Sequence, residues 1–263
     1  MARYEVEDDG IPGLTLALRV RLKGHDVALA PGTTRRELAE TFTLPAPYRD
    51  LFLKSGAPLE ESTTLVAAPG HASLLSGIAV ELPSVGPQAP ALAAALGEAA
   101  GAQWAAFMRN AADIWGLLRA DEYHSTASLH RRVRGTLRDR RLRILLDDYI
   151  AQFGLDPDRV GDAAMVLPYL DQTFGRWRFA EGLPGLERAL RARCAELGVG
   201  FEANEGEPLS LRSFWSTQFA APARIWRAGA MAPVATHELG LPWIGMAAEF
   251  IADRIGRVAA PGR

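Results

Sequence analysis

The chain has 263 residues, 48% of them hydrophobic and 23% charged, and carries a formal net charge of −2. That length buries a sizeable core in one domain, and a charge so near zero excludes a general nucleic-acid binder. The single cysteine, Cys194, excludes an internal disulfide or a cysteine-cluster metal site and suits a reduced, cytoplasmic setting.

In chain order, Tyr4 and Val6 alternate with Glu5 and Glu7, the pattern of a strand with one dry and one wet face. Asp8-Asp9-Gly10-Ile11-Pro12-Gly13 then leads into a helix whose apolar side carries Leu14, Leu16, Leu18 and Leu22, closed by Gly24. Residues 27–30 form a second short strand. Together these have the layout of a dinucleotide-binding strand–helix–strand start. The turn, however, reads D-x-G-x-x-G where the fingerprint is G-x-G-x-x-G, and the second strand ends in Pro31 where an acidic ribose partner is expected. A carboxylate at position 8 opposes a pyrophosphate held at a helix N-terminus.

Pro45 and Pro47 precede a short helix around Tyr48–Lys54, and Gly77–Leu82 reads as a strand stopped by Pro83. Alanine-rich helical periodicity runs from Ala89 to Ala120 and resumes at Ala127–Arg134 and Asp139–Phe153, with a further helix from Asp156-Pro157 to about Thr173. Trp104, Phe107, Trp115, Phe153, Phe174 and Trp177 are expected in the core, though some could line a lipophilic pocket. The arginines between Arg131 and Arg143 read as a solvated helix face. Pro184 sits in the first turn of a helix ending at Gly198. Gly200–Ala203 and Ile225–Ala228 read as strands, and Pro242 opens a last helix to about Val258. No run of apolar residues reaches membrane-spanning length. The expectation is a cytoplasmic, soluble protein with peripheral membrane contact left open.

Several segments in order resemble one family, the phytoene desaturases and related FAD-dependent, amine-oxidase-like oxidoreductases. Thr43–Glu60 is similar to the segment after that family's first nucleotide-binding unit. Tyr169–Trp177 followed by Glu181–Leu186 resembles its phenylalanine-glycine-x-tryptophan segment and double-glycine turn. Thr236–Pro242, with Gly245-Met246, resembles its C-terminal flavin-facing element. The resemblance implies an α/β fold: a small Rossmann-like parallel sheet with a large helical insertion. The chain then reads as a single domain, residues 1–263, with a core from about 1–40 and 184–263 and a substrate-side insertion at about 88–173. The implied sheet order is 200–204, 26–30, 3–7, 224–229. Full members are considerably longer, and the missing sheet would fall between Asn204 and Arg224.

The positions the resemblance places around FAD are Asp8, Gly10, Gly13, Gly182 and Gly240, and each of the three turns carries a carboxylate: Asp8, Glu181 and Glu238. Glycine allows close backbone approach to a ligand, so these replacements predict that FAD is not held in the family's manner, with FAD binding as the alternative. If the three carboxylates converge on one cleft beside His237, then His237, Glu238 and Glu181 are the catalytic candidates for non-redox acid–base chemistry of isomerase or cyclase type. The ligand would be a hydrophobic polyene, isoprenoid or polyketide-like molecule. The bland reading of the same residues is a set of solvated loop carboxylates. Two other functions stay open: an active FAD-dependent desaturase, and a non-catalytic subunit of a homo-oligomer or of a full-length oxidoreductase. No metal-ligand spacing and no hydrolase motif is present.

Overall fold

The computed structural model describes residues 3–6, 8–31, 38–120, 122–123, 125, 127–201, 207–209 and 240–256. The expected opening unit is present. Strand β1 (Arg3–Val6) runs into helix α1 (Ile11–Arg21), and β2 (Asp26–Leu29) returns parallel to β1 with Tyr4 opposite Val27 and Val6 opposite Leu29. Pro12 lies in the first turn of α1, where its missing N–H costs nothing. Gly200 extends the sheet beyond β2 through a parallel bridge to Ala28.

One neighbour differs from expectation. The place on the far side of β1 is taken by a strand at Glu207–Leu209, which pairs parallel with β1 and brings Leu209 opposite Val6. Backbone hydrogen bonds fill both sides of β1; residues 224–229, expected as its neighbour, lie outside the described residues. The result is a mixed α/β fold with a small parallel sheet.

Helix α1 is buried almost all round, because the sheet lies on one side while α8 (Gly182–Glu196) and α9 (Leu241–Ile255) pack on others. This is why its apolar residues do not keep to one stripe: Leu14, Leu16, Ala17 and Leu18 are all fully buried. Helix α2 (Ala46–Ser55) closes against α9 and stops at Gly56, whose φ of +116° ends the helix in the left-handed region.

A second sheet went unread in the sequence. It is antiparallel, with Phe42–Thr43 (β3) and Leu65–Ala67 (β4) flanking Arg176–Phe179 (β7). Residues 78–81 (β6) form the expected strand, but as one arm of a hairpin with Ala72–Leu75 (β5).

The helical region differs in detail from the periodicity. The run from Ala89 breaks at Gly97, φ +99°, into α3 (Ala89–Leu96) and α4 (Glu98–Ala120). Gly101 lets α3 lie close along α4, since a Cβ there would stand 2.7 Å from Ala93 Cβ. Helices α5 (Leu129–Val133) and α6 (Arg140–Ala151) follow. The helix expected from Asp156 begins only at Val166: turns and a 3-10 segment at Asp162–Met165 precede α7 (Val166–Phe174). Phe174, expected in the core, is 39% exposed at the end of α7, and Trp177 is half-buried.

Among the described residues there are two hydrophobic clusters. One gathers the helices of residues 89–170 around Trp104, Phe107 and Tyr149, and the other surrounds α1 and the parallel sheet. Helix α9 reaches both. Trp243 meets Trp115 edge-on at 6.2 Å between ring centres, while Ile244, Ala248 and Ile251 pack into the sheet-side core. Gly245 permits this seat, because a Cβ there would lie 2.7 Å from Pro47 Cβ.

Candidate functional site

The turn between β1 and α1 keeps its backbone frame. Gly13 sits against the end of β1, where an added Cβ would fall 1.7 Å from the Asp8 carbonyl oxygen. This is the close strand–helix approach that a glycine serves in a nucleotide turn. The chemistry at the mouth of the turn is different. The Gly10 N–H donates to Asp8 Oδ1 at 2.8 Å, so the first amide at the helix start is bonded to the chain's own carboxylate.

Burial raises the Asp8 carboxyl above the ordinary aspartate range; the Gly10 amide pulls it back, and the neighbouring Asp9 charge raises it further, with smaller effects from the Gly13 amide and Glu187. Helix α8 reinforces the turn from outside, where Arg191 donates to the Asp9 carbonyl at 2.7 Å and lies over the Phe201 ring. Pro31 follows β2 and is exposed. A pyrophosphate needs free amides and no resident anion at this point. The residues of this turn do not fit it.

Glu181 and Gly182 stand at the start of α8, away from that carboxylate's hydrogen bonds. Glu181 is exposed and accepts from the Thr63 hydroxyl at 3.0 Å. Its own backbone amide and Thr63 hold its carboxyl below the ordinary glutamate range, which makes it a resident anion rather than the raised-pKa acid expected from clustering. Gly182 has a φ of +66°, and a Cβ there would lie 3.4 Å from Glu40 Oε2, so a second carboxylate borders this turn. Glu181 lies on an open groove of about 490 Å³ between α8 and residues 57–63, whose charged lining includes Glu61, Arg188, Arg193 and Glu196. Arg193 is committed to the Ser55 carbonyl at 2.8 Å, whereas Arg188 is exposed and attracts the Glu181 charge.

Gly240 is buried at the start of α9 with φ +82°, and open space surrounds the position of an added Cβ. His237 and Glu238 lie outside the described residues. Asp8 and Glu181 are thus placed at separate turns: Asp8 lies near Glu187 of α8, and Glu181 precedes that helix and bonds Thr63.

Two polar clusters escaped the sequence reading. Arg19 of α1 is buried, ion-pairs Asp50 of α2 at 2.7 Å and Glu249 of α9 at 3.5 Å, and donates to the Pro47 carbonyl at 2.9 Å. The second joins α6, α7 and β7. The Tyr149 hydroxyl donates to Asp171 Oδ2, Arg176 ion-pairs the same oxygen at 3.1 Å and donates to Gln152 at 2.9 Å, and His71 stacks on Tyr149 with ring centres 4.6 Å apart. Burial raises the Asp171 carboxyl, opposed by Arg176. A charged pair inside an apolar helical pattern was the one available signal, since Asp171 and Arg176 flank the Phe174-Gly175 pair.

Among the described residues no three His, Cys, Asp or Glu side chains are grouped to hold a metal ion, and no helix is long and apolar enough to cross a membrane. No family model matches the sequence, and no curated protein matches it. The crystal structure of an oxidoreductase from Methanosarcina mazei is similar, with 15% identity and a TM-score of 0.46 over 77% of this chain and 51% of that one. The chain therefore spans about half the length of that protein.

Proposed function

We propose that the chain is a shortened, Rossmann-like relative of the FAD-dependent oxidoreductases that works without a dinucleotide, with residues 89–174 as its substrate-side helical part. The observation that carries this reading is the Asp8 carboxylate bonded to the Gly10 amide at the start of α1. A pyrophosphate would have to displace that bond and then sit beside the freed negative charge.

The chemistry left to the chain is proton transfer at the groove of Glu181. A carboxylate held ionised by its own backbone amide and the Thr63 hydroxyl is a base at neutral pH. Arg188 on the same groove supplies a positive charge for an oxyanion that develops as a proton leaves the carbon beside a carbonyl. Glu181 takes that proton as the enolate forms, and returns it at another position of the conjugated system, so no electrons are transferred. Of the hydrophobic ligands implied by the family resemblance, a polyketide-like molecule with an enolisable carbonyl suits these two groups better than a pure hydrocarbon polyene. His237 and Glu238 are proposed to join this chemistry from the segment before α9.

The test has two parts. The protein purified gently is expected to lack flavin absorbance, and Asp8→Gly is expected to raise affinity for added FAD measured by fluorescence quenching. A flavin equivalent bound to the natural chain sinks the dinucleotide-free reading. Glu181→Gln is expected to lower deuterium exchange at the acidic carbon of a β-dicarbonyl probe by ~100-fold or more, the usual worth of a positioned base. Unchanged exchange removes the acid–base assignment and leaves the partner-subunit function.

A further inference from the structure

We propose that His71 is the acid-sensitive pin of a clasp that holds the β5–β6 hairpin on α6 at neutral pH and releases it as the pH falls. The argument starts from burial. His71 is 1% exposed, and neither ring nitrogen has a hydrogen-bond partner. The ring lies on the face of Tyr149, which itself stacks on Phe153. An imidazole in that setting favours the neutral form, because burial penalises the cation and the nearby Gln152 oxygen is already shared with the Arg176 guanidinium.

The charged groups around it decide the direction. From β7, Arg176 places a guanidinium over the Tyr149 ring, and its charge opposes a second cation nearby. From α7, Asp171 is already shared between Arg176 and the Tyr149 hydroxyl. From α6, Asp148 favours a cation but is bonded to the Ser73 hydroxyl at 2.6 Å, and the Gln152 oxygen that could receive an imidazolium proton already accepts from Arg176. Helix α3, which packs on β6, carries no ionisable residue. Burial is the largest effect and lowers the value; Gln152 opposes it, the Arg176 charge lowers it further and Asp148 opposes that, and the ring is left below the ordinary histidine value.

The sign follows from linkage. A histidine whose folded value is depressed stabilises the closed state above its unfolded value, and that stability is lost as pH falls from there toward the folded value. His71 immediately precedes β5, and its carbonyl accepts from the Leu82 amide at 2.7 Å, so the residue also closes the open end of the hairpin. A two-stranded hairpin is marginal by itself, and this one relies on Leu75, Val80 and Leu82 packing into the helical cluster. The hairpin is therefore the element that leaves when the pin is charged.

Amide hydrogen exchange of the full chain between pH 7 and pH 5, corrected for the intrinsic rate, tests this. Protection of the amides in 72–82 is expected to fall by up to ~10-fold per pH unit below the unfolded histidine value, while α4 stays protected. Uniform loss of protection, or none, overturns the proposal. His71→Phe is expected to keep the hairpin protected across that range; an unchanged pH dependence in this variant overturns the assignment to His71. Should His71→Phe open the hairpin at every pH, the ring titration of His71 in the natural chain decides: its midpoint must coincide with the loss of protection, and a ring that titrates without it refutes the clasp.

Discussion

Gly13 has no room for a methyl group. The Asp8 carbonyl stands 1.7 Å from where a Cβ would be built, and this obstacle is backbone rather than the end of a flexible side chain. Gly13→Ala is expected to destabilise the chain by ~3 kcal/mol or more, at the upper end of overpacking effects, as read from urea denaturation. Gly116, on the exposed face of α4 near its C-terminal end with nothing near its Cβ direction, gives the opposite case. Gly116→Ala is expected to stabilise by roughly 0.5–1 kcal/mol, because it removes only unfolded-state freedom. Both glycines look alike in the sequence. The one with a chemical role was legible because it stands three residues after Gly10 in a recognisable turn, and Asp8 was legible because it breaks that turn's rule. The Thr63 partner of Glu181 was not, since 118 residues separate them and a threonine carries no sign of what it will bond.

At the scale of elements, the buried Arg19 joins three helices. Asp50 and Glu249 keep Lys54 as a counter-charge, so Arg19→Ala is expected to cost about 2 kcal/mol, from the lost charged hydrogen bonds and the Pro47 carbonyl left without its donor. Glu249→Gln, at the half-exposed rim of the same group and with Asp50 still in place, is expected to cost about 1 kcal/mol or less. Thermal melts of the two variants, side by side, measure the difference. Helices with an apolar face (α2, α4, α6, α8 and α9) were readable because burial writes a period into many residues, and α1 was readable from the glycine turn before it and Gly24 after it. The antiparallel sheet was not readable. Its strands have two to four residues, too few to show alternation, and β7 pairs with segments more than a hundred residues earlier. The turns at 156–161 failed differently: Asp156-Pro157 is a sound helix start, but the backbone from Asp156 closes only a turn back to Arg159 and Val160 before Gly161.

The whole molecule is held together where its two cores meet. Arg176 lies at the root of β7, and its guanidinium faces Tyr149 and Phe153 of the helical cluster while Phe179, three residues on, packs in the sheet-side core. Arg176→Ala is expected to uncouple the two. Cys194 makes this measurable: it is fully buried in the sheet-side core, and burial pushes its thiol up to about 12, so a labelling reagent reports only opening of that side. In the natural chain, thiol labelling and amide exchange of α6 are expected to respond at the same urea concentration. In Arg176→Ala the α6 response is expected first, and coincident responses would show that Arg176 does not couple the cores.

The hairpin turn has a consequence for synthesis on the ribosome. Ser76 and Gly77 both adopt positive φ, a conformation that suits glycine and costs an ordinary side chain on the order of 1 kcal/mol. The turn therefore does little to start the hairpin, and the surfaces that support it, α3 and α6, are translated later. Between the emergence of Leu82 and the completion of α6, the nascent chain carries Leu75, Val80 and Leu82 without the helices that bury them in the fold. Chaperone engagement is expected to concentrate in that window, and Ser76→Gly, by letting the strands pair at once, is expected to shorten it.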